Sequence, residues 1–423
     1  MFAAPVAASS LADAIDAAAD AIESTVIAWR RDIHANPELG NREFRTAALV
    51  AEHLQRLGLD EVRTGVAHTG VVGLLKGALP GPVVALRADM DALPVAEEVD
   101  VTFASKAKAQ WNGESVGVMH ACGHDAHVAI LMGVAEVLVG LRGQLRGSVK
   151  FIFQPAEELP PEGEEGGAQL MIEEGALGDP QPDAIFGLHV GITAADAGTL
   201  TYRANGFMAA SDFFKIVVHG RQTHGATPWD GVDPVVTAAA IVNGLQTIVS
   251  RQAKLVVGPA VVTVGAINAG VRNNIIPDST VMLGTVRTFD PAMRDDIGER
   301  IKRTAELIAQ SQGATATVEI QRMTPVTAND ASLTARMAPT LRRVAGAGNV
   351  IEGQPVTGAE DFGYFAEQVP AMFVFLGVRP KGSPLSAFVS NHSPKFFADE
   401  AALPTGVKTL VALATDFLAP PTP

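Results

Sequence analysis

Ser148-Val-Lys-Phe-Ile-Phe-Gln-Pro-Ala-Glu-Glu158 is the stretch on which the fold turns. Residues 148–153 have the length and apolar character of a strand buried on both faces, as in a sheet covered by helices. Two adjacent carboxylates, Glu157 and Glu158, follow where that strand ends. In open α/β sheets, ligand sites lie beyond the carboxyl ends of strands. Adjacent carboxylates repel unless their surroundings separate their jobs. One can stay ionised as a metal ligand while its neighbour is held as a proton carrier. Glu162, Glu164 and Glu165 read instead as a solvated acidic loop.

Working outward, residues 70–75, 82–88 and 184–188 are further short apolar runs, and residues 11–35, 42–57 and 124–141 are helix-like. This alternation predicts an α/β domain with a mixed, mostly parallel sheet covered by helices. The pattern changes near Gly206. Strand-like 211–219, helix-like 233–250, strand-like 260–267 and 280–288, helix-like 291–312 and strand-like 315–320 follow in order. That is the β-α-β-β-α-β order of a ferredoxin-like α+β unit. The expected organisation is therefore 1–205 and 323–423 as one domain, with 206–322 inserted into it.

The bulk properties fit a globular protein. Of 423 residues, 47% are hydrophobic and 18% charged, so a large core is available and disorder is disfavoured. The net charge of -14 disfavours nucleic acid and anionic membranes as partners. The single cysteine, Cys122, excludes an intramolecular disulfide and agrees with a cytoplasmic location. Residues 1–10 lack the basic start of a signal peptide, and the Pro-rich tail 419–423 reads as disordered. No run reaches the ~20 uninterrupted apolar residues of a spanning helix.

The densest chemical cluster is Met119-His-Ala-Cys-Gly-His-Asp-Ala-His127. Cys122 and His124 lie two apart just before a helix, and Gly123 gives the backbone freedom to aim both at one ion. His120 and His127 read as supporting or core residues. Asp89 and Asp91 stand at another strand end; one can steady a ligand histidine, or both can serve a turn or cap. His189, in Gly187-Leu-His-Val190, and His392, in Asn391-His-Ser-Pro394, are weaker candidates taken singly. In the insert, His224 and Asn274 occupy polar loops. Arg287 alternates with apolar residues on a strand, where it faces water or grips a carboxylate.

Read in order, RADMDALP, MHACGHDAH, FQPAEE, GLHV, QTHGATPW, NNIIPD, GAEDF and NHSP resemble the M20 metallopeptidase group, subfamily D. That subfamily includes hippurate hydrolases, N-acyl-amino-acid amidohydrolases and plant auxin-conjugate hydrolases. The likeness runs from about residue 33 to residue 397. It implies a binuclear metal-dependent amidohydrolase with a catalytic domain and an inserted lid domain that forms a homodimer or homotetramer. Two divalent ions per subunit are implied, Zn2+ or Mn2+, with Co2+ or Ni2+ as alternatives. By motif, Cys122, His124, Glu158, His189 and His392 match ligands and Glu157 matches the general base. Asp91 matches an aspartate that supports the metal site. Asp89 falls where other branches carry a ligand histidine, and Cys122 replaces their bridging aspartate. His224 resembles the histidine that reaches the scissile carbonyl, often from the partner subunit, and Asn274 and Arg287 resemble groups that bind the substrate carboxylate. The acidic stretch 160–167 is longer than usual for the group.

The reading implies hydrolysis of the amide in an N-acyl amino acid, a small-molecule substrate. A dipeptidase or exopeptidase using the same site is the alternative. A metal-dependent binding protein and a structural zinc protein are the non-enzymatic readings.

Overall fold

The computed structural model describes residues 11–420, and the expectations for residues 1–10 and 421–423 lie outside it. The chain forms two compact units. One comprises Met1–Asn205, Asn329–Gly353 and Tyr364–Pro423; the other comprises Gly206–Ala328 and Gln354–Gly363.

The first unit is built on an eight-stranded mixed sheet. At its centre, Arg146–Gln154, Leu79–Asp89, Ala184–Val190 and Ala371–Leu376 lie side by side in that order, all parallel. Every residue of Ala184–Val190 and of Ala371–Leu376 is buried, as strands with both faces covered must be. The helix His124–Gly140 is apolar almost all round and buried along its length, so it can only be a core helix. Leu403–Leu418 packs against it. The window Glu400–Leu418 has the length and apolarity of a membrane span, with mean hydropathy 1.2, yet 72% of it is buried inside the fold. Residues 11–35, read as one helix, are two: Leu11–Ala21 and Glu23–Ala35. The second restarts at Ile22, whose carbonyl takes the amides of Thr25 and Val26, and it turns Val26, Arg30, Ile33 and His34 inward.

The second unit is a four-stranded antiparallel sheet in the order Ala260–Ala269, Ser279–Thr288, Ala210–His219, Thr315–Thr324. Phe214, Ile216 and Val218 alternate inward and pack under Pro234–Thr247 and Pro291–Ser311. Those helices are capped by Asp233, which accepts two amides of the first turn, and by Asp290, which accepts one. Residues 354–363 join this unit because Val356 exchanges backbone hydrogen bonds with Phe207 and Ala209.

Candidate metal centre

Three central strands end together. Asp89 closes Leu79–Asp89, Gln154 lies opposite it on the neighbouring strand, and His189 and Val190 end Ala184–Val190. His189 is itself at such an end, Glu158 and Cys122 lie in the loops beyond, His124 opens the helix that follows Cys122, and His392 lies in the chain after the neighbouring strand Ala371–Leu376. The donor atoms of Cys122, His124 and His189 lie within 4.8 Å of one another, and so do those of Cys122, Glu158 and His392. Cys122 belongs to both groups, so the arrangement offers two three-donor sets that share one sulfur. Gly123 makes the approach possible. Its φ is +91°, and a Cβ there would come within 2.4 Å of Val190 Cγ2.

Hydrogen bonds decide which ring nitrogens remain free for an ion. The Nδ1–H of His189 donates to Val190 O at 2.8 Å, leaving Nε2 as an unprotonated donor 3.4 Å from Cys122 Sγ. Burial, then the neighbouring His127, holds His189 well below the usual histidine range, which keeps it neutral. Nδ1 of His124 stands 3.3 Å from Asp91 Oδ1. Both ring nitrogens of His124 are buried with no hydrogen-bond partner among the described residues. Burial opposes a charge on His124, but Asp89 and Asp91 outweigh it and push the ring up to about 10. His392 Nε2 lies 2.7 Å from Glu158 Oε1.

Both ring nitrogens of His127 are engaged. Its Nδ1 is bonded to Asp89, and its Nε2 accepts the Val190 amide at 2.8 Å. Asp89 is spent on His127 and on Arg87, 2.6 Å away. Neither nitrogen of His120 has a partner among the described residues, and burial lowers it to about 3. These donors fit divalent cations. Burial, then the carboxylates of Glu158, Glu157 and Asp89, pushes the Cys122 thiol well up, and the surplus of anionic groups around an orphaned imidazole nitrogen calls for positive charge.

Asp91 organises the pair of glutamates. Its two oxygens accept the amides of Glu157 and Glu158, both at 3.0 Å, while Oδ1 faces His124. Sequence reasoning missed Glu43, which is fully buried and accepts Ala156 N at 2.9 Å and Thr69 Oγ1 at 2.6 Å. Burial, then the Asp91 carboxylate, pushes Glu43 up to about 8. The bond to Ala156 holds a residue whose φ is +50°. Glu164, read as solvated, pairs with Arg42 and Asn41 and so pins the acidic loop. Its motif neighbours carry no signal for this, because both partners lie more than 100 residues earlier.

The lid residues sit in the second unit. Thr223–His224 pairs with Ile275–Ile276, and Gly225 N donates to Asn274 O at 2.8 Å, so His224 and Asn274 are neighbours. His224 is exposed, and its Nδ1 accepts Ala226 N at 3.0 Å, which puts the ring proton on Nε2. Arg287 bonds Ser211 Oγ at 2.5 Å. It lies toward the far end of Ser279–Thr288, about 25 Å along the strand from Ser279, where the Asn274 loop enters.

Residues 85–416 match the model of Peptidase family M20/M25/M40. Thermostable carboxypeptidase 2 of Saccharolobus solfataricus is 41% identical over 94% of this chain and 96% of its own. The N-acetyl-L-cysteine deacetylase of Bacillus subtilis is 37% identical over 90% of this chain and 85% of its own. A solved Bacillus subtilis structure described as a dinuclear metal binding peptidase from the M20 family superposes with a TM-score of 0.79 at 34% identity, covering 94% of this chain and 99% of that one. With these donors at the strand ends and this extent of likeness, the chain belongs to peptidase family M20/M25/M40.

Proposed function

We propose that this enzyme hydrolyses the amide bond of N-acyl amino acids, releasing a carboxylic acid and an amino acid. The observation that carries the reading is the pair of three-donor sets sharing Cys122, with Glu157 beside them. Cys122, His124 and His189 would hold one ion, and Cys122, Glu158 and His392 the other. Zn2+ or Mn2+ suits this mixture of sulfur, nitrogen and oxygen, with Co2+ or Ni2+ as alternatives. When bound, the ions supply Lewis acidity toward the scissile carbonyl and the attacking water. Glu157 takes the proton of that water and passes it to the leaving amine. Asp91 fixes the backbone of Glu157 and Glu158 through their amides. His224, with its proton on Nε2, is suited to donate to the oxygen that gains charge.

Asn274 and Arg287 would bind the free carboxylate of the substrate. Arg287 lies about 25 Å along Ser279–Thr288 from the end that the Asn274 loop enters, which supports drawing the two from two protomers, and so a homodimer whose lids complete each other's sites. Mixing Asn274→Ala and Arg287→Ala proteins, each inactive alone, should restore activity, since one site of each mixed dimer regains both groups. No recovery on mixing would remove the two-protomer reading. A cytoplasmic enzyme accords with the lone cysteine and the acidic charge.

The decisive assay supplies each metal to chelated protein and offers a panel of N-acyl amino acids. Two ions per chain and turnover of at least one acyl amino acid are expected. Ion uptake without hydrolysis of any of them would overturn the reading. Chelation should abolish turnover while the far-UV signal persists, because the first unit has a large apolar core of its own apart from the candidate donors. A carboxypeptidase among the relatives favours a second reading, exopeptidase action on peptides. Parallel rates on dipeptides separate the two.

A further inference from the structure

Beside the candidate ligands, one amide side chain touches more of the centre than any role assigned so far explains. Asn391 Oδ1 accepts Ile192 N at 2.8 Å. Its Nδ2 donates to Cys122 O at 2.9 Å and to Val190 O at 3.2 Å, and stands 3.7 Å from Cys122 Sγ. The partners fix the orientation of the amide, since a backbone N–H can only donate and two carbonyls can only accept.

Both donated bonds lead to a candidate ligand. Val190 O is also the acceptor for His189 Nδ1, so the same carbonyl receives protons from Asn391 and from His189. Holding that carbonyl in place holds the tautomer that leaves His189 Nε2 facing Cys122. Cys122 is held at its carbonyl and has an N–H turned toward its sulfur. His392 follows Asn391 directly; its own amide donates to Ala121 O at 2.8 Å, and its φ is +69°. A side chain in that backbone conformation needs its surroundings to keep it there. The chain also reserves room for the amide. Gly191 has φ +79°, and a Cβ at that position would lie 2.6 Å from Asn391 Oδ1.

We propose that Asn391 is a positioning residue of the metal centre, its amide setting the directions of Cys122, His189 and His392 and presenting an N–H to the shared sulfur. The inference rests on the two-ion reading above. It differs from a plain loop staple in one respect: the donor half of the amide matters, and not only the bond to Ile192.

Asn391→Asp tests that difference. It keeps an acceptor for Ile192 N but turns an anionic oxygen toward two carbonyls and the sulfur. Asn391→Ala removes both halves without adding charge and serves if the first variant folds poorly. The readouts are metal affinity, measured by competition with a chromophoric chelator, and the near-ultraviolet thiolate-to-cobalt charge-transfer band of Co2+-loaded protein. Thermal midpoints of the chelated proteins are recorded alongside.

We expect about 10–100-fold weaker binding of at least one ion. Asn391→Asp should weaken binding more than Asn391→Ala, with the cobalt band shifted and the chelated midpoint close to that of the parent. Parent-like affinities and an unmoved band in both variants would overturn the inference alone. Normal binding by variants whose chelated midpoint has dropped would also overturn it, in favour of a structural staple. A parent protein that takes up no ions and shows no band would instead remove the two-ion reading, and the inference with it.

Discussion

Glu157→Gln should lower kcat for N-acyl amino acid hydrolysis by about 10²–10⁴-fold, the usual contribution of a general base, while leaving two ions bound. Glu158→Gln should instead cost an ion. The residues are adjacent, and their amides are fixed on the two oxygens of Asp91. Ala156, at φ +50°, bends the loop immediately before the pair. Glu158 Oε1 meets His392 Nε2 at 2.7 Å, whereas Glu157 Oε2 lies 3.8 Å from His124 Nε2. Glutamine preserves size and most hydrogen-bonding capacity but cannot take up a proton, so Glu157→Gln isolates the base. Metal content measured beside kcat distinguishes the two roles. If Glu157→Gln lost an ion and Glu158→Gln kept both, the assignments would have to be exchanged.

Asp125→Ala should destabilise the first unit by roughly 3–5 kcal/mol, the usual result of removing one partner of a buried ion pair. Asp125 is wholly buried and lies 2.8 Å from Arg30 Nε and 2.8 Å from His34 Nδ1. Without it, two buried cations lose their shared anion. Burial opposes the charge on His34, but Asp125 outweighs it and raises the ring to about 9 from 6.5. A raised folded pKa stabilises fully below 6.5, and that part is lost as the pH climbs through 9. Asp125 has the opposite sign. Burial would raise it, but Arg30 and His34 hold it well below 3.8, so its contribution fades only in acid. The stability gap between parent and variant is therefore widest from about pH 4 to 6.5 and narrower above 9. Denaturant titrations at pH 6 and pH 9.5 measure it. An equal gap at both would sink the electrostatic account.

The candidate donors drew attention in the sequence where they border apolar runs that can hardly be anything but a buried strand or helix, and the resemblance supplied the rest of the set. His189 ends Ala184–Val190, Glu158 follows Arg146–Gln154, and Cys122 precedes His124–Gly140. The residues that hold them were not readable. Asn391 reaches Cys122 across 269 residues, and Glu43 reaches Ala156 across 113. Such partnerships are set by tertiary geometry, and neither residue type has a local pattern that announces it. His127 could be read only as a supporting or core residue, since its bonds to Asp89 and Val190 appear once three strand ends converge. The separation of Asn274 from Arg287 was within reach, because the strand between them spans most of the distance.

The two donor sets also differ in when they come into being. On the proposed assignment, Cys122, His124 and His189 all precede Gly206, where the second unit begins, while His392 follows that unit's last segment. A ribosome therefore releases one complete triad long before the other has its third member. Until the chain beyond residue 363 emerges and its loop docks on Ala121 and Cys122, Glu158 and the shared sulfur await their histidine. On that assignment the second donor set becomes complete only after the inserted unit has been made and the chain has returned to the first.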